Sequence, residues 1–251
     1  MSASRDVPHP FPRPFDADTI EARLRALDRR EPFVFSRADV PAGFHHSSVL
    51  LLFWREADDL RVLLTRRAAH LRGHPGQMAF PGGRLEPGEG PVEAALRETE
   101  EEVGLSPQSI EVLGRLDDAW SGAGHLLVPV VGWAGDPPDC TPNPEEVAEV
   151  HTPSVSALFA PDAYRWETKQ IGDQTFLNST LHWGDDEVFG LSTELLIEAI
   201  QWGLGLPHRH GRTRLENLRS YLRVRSAEER ASDARLGRAV EAKPSDARSG
   251  D

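Results

Sequence analysis

The chain has 251 residues, 39% of them hydrophobic, and a formal net charge of -12, which suits one sizeable domain with appendages or two small domains. The acidic balance excludes generic nucleic-acid binding, because phosphate backbones are held mainly by basic surface. The single cysteine, Cys140, excludes an internal disulfide framework. A chain without disulfides suits a reducing compartment, so we expect a cytoplasmic protein.

No membrane role is expected from the sequence. The first 15 residues have no apolar signal core, and the longest apolar run, Val49–Trp54, is far too short to cross a bilayer.

Predicted helices and strands alternate along the chain. An amphipathic helix is predicted from Asp18 to Arg29, with an apolar face for packing. Strands are predicted at Ser48–Trp54 and Leu60–Thr65, joined as a hairpin by the polar segment between them. The remaining predictions are helices at 91–103 and 192–202 and strands at 110–116, 126–133 and 146–151. This pattern indicates an α/β fold with short connections.

Composition divides the chain into three segments. Residues 1–45 form an N-terminal extension with the amphipathic helix, 46–205 form the main domain, and 206–251 form a charged C-terminal extension. From Ser226 onward there are few large apolar residues, so we expect a frayed or disordered tail. A stripe of Leu215, Leu218 and Leu222 suits either packing on the domain itself or a partner-binding helix.

The helix predicted from Pro91 to Val103 carries an unusual concentration of glutamates. Proline suits its first position, and Gly104 suits its end. At about 100° per residue, the carboxylates of Glu98, Glu101 and Glu102 converge on a face that we expect to be exposed. Like charges at such spacing repel, and a hard divalent cation such as Mg²⁺ is what a few carboxylates together with substrate phosphates hold.

A second local feature is a basic island in this acidic chain. No Asp or Glu occurs between Leu60 and Leu85, whereas five arginines do: Arg61, Arg66, Arg67, Arg72 and Arg84. The island suits either a small polyanion or an ordinary solvated edge.

The segment from Gly83 to Leu105 resembles the Nudix box, G-x5-E-x7-R-E-U-x-E-E-x-G-U, with Thr99 at a position that is usually aliphatic. The resemblance implies a Nudix α/β/α sandwich with a mixed β-sheet, in which the box forms a loop-helix-loop. It also implies a hydrolase of nucleoside diphosphates linked to another moiety, dependent on Mg²⁺ or Mn²⁺. By the same resemblance the metal ligands are Glu98, Glu101, Glu102 and the carbonyl of Gly82, while Gly83, Glu89 and Arg97 support the box.

The segment Leu63–Gly83 is similar to one that marks the coenzyme A diphosphatase subfamily, L-L-T-x-R-[SA]-x3-R-x3-G-x3-F-P-G-G. The resemblance implies hydrolysis of coenzyme A or a derivative to 3',5'-ADP and 4'-phosphopantetheine. Arg67 and Arg72 are then candidate substrate-binding residues, because arginine binds phosphate oxygens bidentately. Glu98, Glu101 and, outside the box, Glu146 are candidate catalytic bases, and their ranking stays open.

Two alternatives remain at this point. A related Nudix activity would act on ADP-ribose or a dinucleotide, and a Nudix fold without catalysis would serve as a ligand sensor. The expected partner is a small molecule, neither nucleic acid nor membrane, and a homodimer is compatible with the sequence. The pairs His45–His46 and His208–His210 lack a full metal-ligand set and are expected to be exposed loop histidines.

Overall fold

The computed structural model describes residues 8–36, 38–41, 43–71, 73–121, 124–171, 174–184, 186–206 and 210–235. Its α-helices are α1 (Ala17–Leu24), α2 (Pro91–Val103), α3 (Leu191–Gly203) and α4 (His210–Arg235). Its first six strands are β1 (His45–Glu56), β2 (Asp59–Val62), β3 (Leu64–Arg67), β4 (Met78–Ala79), β5 (Gly82–Arg84) and β6 (Ile110–Arg115). The others are β7 (Ala119–Ser121), β8 (His125–Ala134), β9 (Val147–His151), β10 (Tyr164–Ile171), β11 (Gln174–Trp183) and β12 (Asp186–Phe189).

The main sheet is mixed. Its strand order is β2-β1-β8-β6, with β5 also paired to β1 and β7 to β8. Strand β1 runs parallel to β8 and antiparallel to β2 and β5. Two smaller sheets have the orders β4-β3-β9 and β10-β11-β12.

Strand β1 divides the core into two layers because its side chains alternate between the faces of the sheet. Leu50, Leu52 and Trp54 pack in one cluster with Ala95 and Val103 of α2. Leu51 and Phe53 point the other way and join the cluster that contains residues of α1 and α3. Helices therefore cover both faces of the sheet, and the predicted α/β/α sandwich is confirmed.

Most predicted elements are confirmed, but three differ. The strand predicted at Leu60–Thr65 is divided between β2 and β3, which belong to different sheets. The first helix ends at Leu24, with a separate 3₁₀ turn at Leu27–Arg29. Helix α4 continues to Arg235, so its last part replaces the irregular tail expected from Ser226. Residues 236–251 of the predicted tail lie outside the described residues.

The terminal segments are packed onto the central domain. Leu215 and Leu218 of α4 are buried with Phe35 and Leu126, so the leucine stripe packs against its own chain. A buried ion-pair network, formed by Arg30, Asp117, Glu198 and Arg214, joins the segment after α1 to α3 and α4. Within the described part of the chain, every helix is too short or too polar to cross a membrane.

Candidate metal centre

Helix α2 is defined by local signals at both ends. Pro91 occupies its first turn, where a missing backbone N–H costs nothing. Gly104 closes it with a φ of 72°, and its N–H donates to the carbonyl of Glu100. Thr99 is fully buried, and its hydroxyl donates to the carbonyl of Ala95 at 2.7 Å. The polar atom at this usually aliphatic position is therefore satisfied within the helix.

Three carboxylates meet beside α2. Glu98, Glu102 and Glu146 each offer one oxygen, and these three oxygens lie within 4.8 Å of one another. Glu98 and Glu102 are one helical turn apart, whereas Glu146 comes from the loop that leads into β9. The structure thus brings together two of the predicted metal ligands and the candidate base that lies outside the box.

Glu102 is the most buried member of this cluster, with only 3% of its surface exposed. The expectation of an exposed face was wrong here, because the loop that carries Glu146 covers the helix at this point. Burial raises the pKa of Glu102 to about 8, opposed by Arg67 and assisted by the neighbouring carboxylates. Its Oε2 atom has no hydrogen-bond partner among the described residues.

Arg97 organises the outer side of the box. Its guanidinium donates to Glu89 at 2.8 and 3.1 Å, to Glu98 at 3.0 Å and to Glu101 at 3.0 Å. It also donates to the carbonyl of Arg84 at 3.0 Å. Glu101 is exposed and faces Arg97, and the carboxylate cluster described above does not include it. The pKa of Glu89 is lowered chiefly by its hydrogen bond from Arg97.

Two glycines allow β5 to approach both β1 and α2. A Cβ atom on Gly82, whose φ is 152°, would lie 2.2 Å from the carbonyl oxygen of Ser48. A Cβ atom on Gly83 would lie 2.3 Å from the carboxylate of Glu98. Both contacts are far shorter than van der Waals separations, so the Glu98 carboxylate occupies space that only glycine leaves open.

The loop before β9 places Glu146 by backbone hydrogen bonds. The N–H groups of Thr141 and Asn143 donate to the carbonyls of Val103 and Glu102, both at 2.8 Å. The carbonyl of Asn143 then accepts from the N–H of Glu146 at 3.0 Å. These bonds satisfy carbonyls at the C-terminal end of α2, which have no partner within the helix. No spacing rule in the sequence links Glu146 to the box. The sequence alone therefore does not predict that Glu146 lies beside Glu98 and Glu102.

The arginines of the basic island differ in the carboxylates that they contact. Arg61 pairs with Glu56 at 2.7 Å, and Arg66 pairs with Glu149 at 3.1 Å and with Asp186. Arg67 instead faces the metal centre, with its Nη1 atom 3.9 Å from Oε1 of Glu102. Arg72 lies outside the described residues. Of the two predicted substrate-binding arginines, the structure therefore locates one, at the edge of the carboxylate cluster.

The carboxylate cluster fits a hard divalent cation. All its donors are oxygens, the unpartnered Oε2 of Glu102 is buried, and the three carboxylates face one another, with Arg67 at 3.9 Å from Glu102 and Arg97 at 3.0 Å from Glu98. Oxygens on opposite sides of Mg²⁺ lie about 4 Å apart, so the observed spacing needs only small side-chain movement.

This arrangement, an α/β/α sandwich with a carboxylate cluster on a glycine-flanked helix, agrees with the sequence comparisons. A model of the NUDIX domain family matches residues 44–174. The chain therefore belongs to the Nudix family.

The curated relatives carry the same family name. The chain is 36% identical over 152 residues to Nudix hydrolase 3 of Caenorhabditis elegans, covering 55% of this chain and 63% of that protein. It is 38% identical over 141 residues to NudL, an uncharacterized Nudix hydrolase of Yersinia enterocolitica, covering 56% of this chain and 69% of that protein. The chain thus spans less than two thirds of the worm relative's length.

Among solved structures, a MutT/nudix family protein from Enterococcus faecalis aligns over 70% of this chain and 66% of its own. The TM-score is 0.42 and the sequence identity is 20%.

Proposed function

We propose that this protein hydrolyses the pyrophosphate bond of coenzyme A or a derivative, giving 3',5'-ADP and 4'-phosphopantetheine or its acyl form. The observation that carries the proposal is the carboxylate cluster beside α2, in which a buried carboxylate oxygen has no partner. The coenzyme A diphosphatase pattern between Leu63 and Gly83 supplies the substrate class.

Glu98, Glu102 and Glu146 would hold Mg²⁺ or Mn²⁺, with the carbonyl of Gly82 as a further ligand. Glu101 is also a candidate ligand, and to bind the ion it would have to break its ion pair with Arg97. Such an ion, when bound, neutralises phosphate oxygens and lowers the pKa of water.

The chain's own residues orient the reactants. Arg67 lies at the edge of the cluster and can donate two parallel hydrogen bonds to a phosphate oxygen pair. Arg97 holds Glu98 by an N–H···O bond of 3.0 Å, which fixes that carboxylate without occupying both of its oxygens. Residues of the box therefore position the cluster while Arg67 aligns the substrate.

A carboxylate must also accept the proton of the attacking water. Glu98 and Glu146 suit this step better than Glu101, because Glu101 is exposed and lies outside the carboxylate cluster. Burial raises the pKa of Glu98, which makes it a better proton acceptor than an exposed glutamate.

One substrate panel can distinguish the proposed function from two others. A Nudix hydrolase acting on ADP-ribose or a dinucleotide would use the same cluster, whereas a non-catalytic ligand sensor has no need of it. A substrate panel with Mg²⁺ and with Mn²⁺ should show the highest kcat/KM for coenzyme A or a derivative. Preference for ADP-ribose or a dinucleotide would replace the proposed substrate, and absence of turnover on the whole panel would favour the sensor.

The bond that breaks can be tested separately. In ¹⁸O-water we expect the label in 3',5'-ADP, with phosphopantetheine leaving as the displaced phosphate. Label only in phosphopantetheine would reverse the alignment of water and substrate. Release of free pantetheine or adenine would exclude hydrolysis at the pyrophosphate.

A further inference from the structure

A group of basic side chains lies where the start of β1 meets β5 and β8. His45 and His125 are register partners in the parallel β1–β8 pair, and their ring centroids are 5.5 Å apart. Arg84 is the register partner of Ser47 in the β1–β5 pair. The hydroxyl of Ser47 lies 3.0 Å from Nδ1 of His125, which links the two strand pairs. His45 is exposed, as expected, but it lies in a strand and not in a loop.

His74 belongs to the same group, which we call the histidine–arginine cluster: His45, His74, Arg84 and His125. Burial lowers the pKa of His125, and the nearby charges of Arg84, His45 and His74 lower it further. All three side chains therefore lie within electrostatic reach of this imidazole. His74 also has a φ of 55°, a backbone conformation that non-glycine residues rarely adopt and that is enriched at functional sites.

The histidine–arginine cluster has no acidic partner. Within the described ranges, no carboxylate forms an ion pair with any of its four members. Arg61 and Arg66 of the basic island, by contrast, are each paired with carboxylates. In a chain with net charge -12, the guanidinium of Arg84 and the N–H groups of the imidazoles beside it, with no acid paired to them, form a site that attracts anions.

This cluster lies on the face of β5 opposite the metal centre. Gly83 faces the Glu98 carboxylate, and Arg84, the next residue of β5, points to the other face of the strand together with Ser47. The two sites are linked through the loop before β4, where Nε of Arg67 donates to the carbonyl of Gly73 at 3.3 Å, directly before His74. A substrate held at the carboxylates and Arg67 would follow this loop to reach the histidine–arginine cluster.

We propose that the histidine–arginine cluster is a second phosphate subsite, which binds a phosphomonoester group of the substrate apart from its pyrophosphate. The guanidinium of Arg84 offers bidentate hydrogen bonds to phosphate oxygens, and the imidazoles offer further N–H donors. Ser47 holds the ring of His125 in place. The subsite rests on the proposed function, and in a coenzyme A substrate its ligand is the ribose 3'-phosphate.

The first test compares coenzyme A with 3'-dephospho-coenzyme A. Arg84→Ala and His125→Gln should each lower kcat/KM for coenzyme A about ten- to a hundredfold, because a charge-assisted hydrogen bond to phosphate is lost. Neither variant should change kcat/KM for the 3'-dephospho substrate. Arg29→Ala, which removes an exposed arginine elsewhere, serves as the control and should leave both values unchanged. Equal losses on both substrates, or no loss on either, would overturn the subsite.

The second test measures binding without turnover. In calorimetric titrations of the full chain, 3',5'-ADP should bind at least tenfold more tightly than 5'-AMP, and Arg84→Ala should remove the difference. If coenzyme A is not hydrolysed but this difference is found, the subsite stands and the proposed substrate fails. If the two nucleotides bind equally, the subsite fails whatever the substrate.

A titration with inorganic phosphate distinguishes the source of the phosphate group. Phosphate alone should bind far more weakly than 3',5'-ADP and should not compete with it at equal concentration. Tight binding of inorganic phosphate that Arg84→Ala abolishes would make the cluster a site for the free anion and would overturn its role in substrate recognition.

Discussion

Two buried carboxylates, Glu102 and Glu198, have opposite surroundings. Glu198 is fully buried, and it accepts from Arg214 at 2.7 Å, from Arg30 at 3.1 Å and from the N–H of Asp117 at 2.9 Å. Glu102 is almost as buried, but its nearest arginine, Arg67, stands 3.9 Å away. A buried charge needs paired charges or hydrogen bonds. The buried ion-pair network supplies them within the chain, whereas Oε2 of Glu102 has no partner among the described residues, which is the feature on which the proposed metal site rests.

The difference predicts that damage to the two regions will have separable effects. Removing a carboxylate from the metal centre should impair catalysis and spare the fold, since it leaves no unpaired buried charge behind. Removing charge from the buried ion-pair network should impair the fold and spare catalysis, since it leaves an uncompensated charge behind.

The largest expected effect comes from Glu102→Gln. We expect turnover to fall by roughly two to three orders of magnitude, the scale seen when one preorganised electrostatic contact is lost. The melting temperature of the metal-free protein at pH 7 should stay about the same, because Glu102, whose pKa is raised to about 8, is mostly neutral there and glutamine has nearly the same shape. Steady-state kinetics at saturating Mg²⁺ and thermal melts in a chelator measure both quantities. Retained activity, or a lower melting temperature without metal, would show that Glu102 has a structural role.

The next effect is on stability. Arg214→Leu should lower the free energy of unfolding by about 3 to 5 kcal/mol, because Glu198 then remains buried without one of its two arginines. Denaturant titration measures the change, and activity per folded molecule should be unchanged below the transition. Arg223→Leu removes an exposed arginine from the same helix and should change stability by less than about 0.5 kcal/mol. Similar losses for the two variants would contradict the comparison.

A smaller effect is expected at the edge of the metal centre. Arg67→Ala should lower kcat/KM about ten- to a hundredfold, equivalent to roughly 1.5 to 3 kcal/mol for a charge-assisted hydrogen bond to phosphate. Arg61→Ala, from the same basic island but paired with Glu56, should leave kcat/KM within twofold. If Arg67→Ala behaved like Arg61→Ala, Arg67 would serve the structure alone.

The smallest effect concerns Cys140, which packs at the margin of the core near α2. Burial, with a contribution from Asp139, raises the pKa of its thiol to about 11. Since the thiolate is the reactive form, alkylation by iodoacetamide should be slow at pH 7 and should accelerate steadily up to about pH 11. Mass spectrometry of the native protein across this range gives the rate. Fast alkylation at neutral pH would mean that the thiol is activated.

Local sequence signals account for the parts of the molecule that were predicted most closely. Helix α2 has the predicted bounds because Pro91 and Gly104 act within one turn of its ends. The burial of Leu50 to Phe53 on alternating faces follows from the two-residue period of a strand. The strand predicted at Leu60–Thr65 failed because a continuous apolar run does not show where the chain passes from one sheet to another.

The sequence by itself determined the Nudix box, its helix and the convergence of Glu98 with Glu102, because these depend on residues that are near one another along the chain. Only the tertiary structure decided that Glu146 completes the cluster and that Glu101 stands apart with Arg97. Glu146 reaches α2 because the N–H of Asn143 bonds to the carbonyl of Glu102, a contact between distant segments. Such a contact depends on how a loop packs against a helix that is distant in sequence, and no periodicity within either segment encodes it.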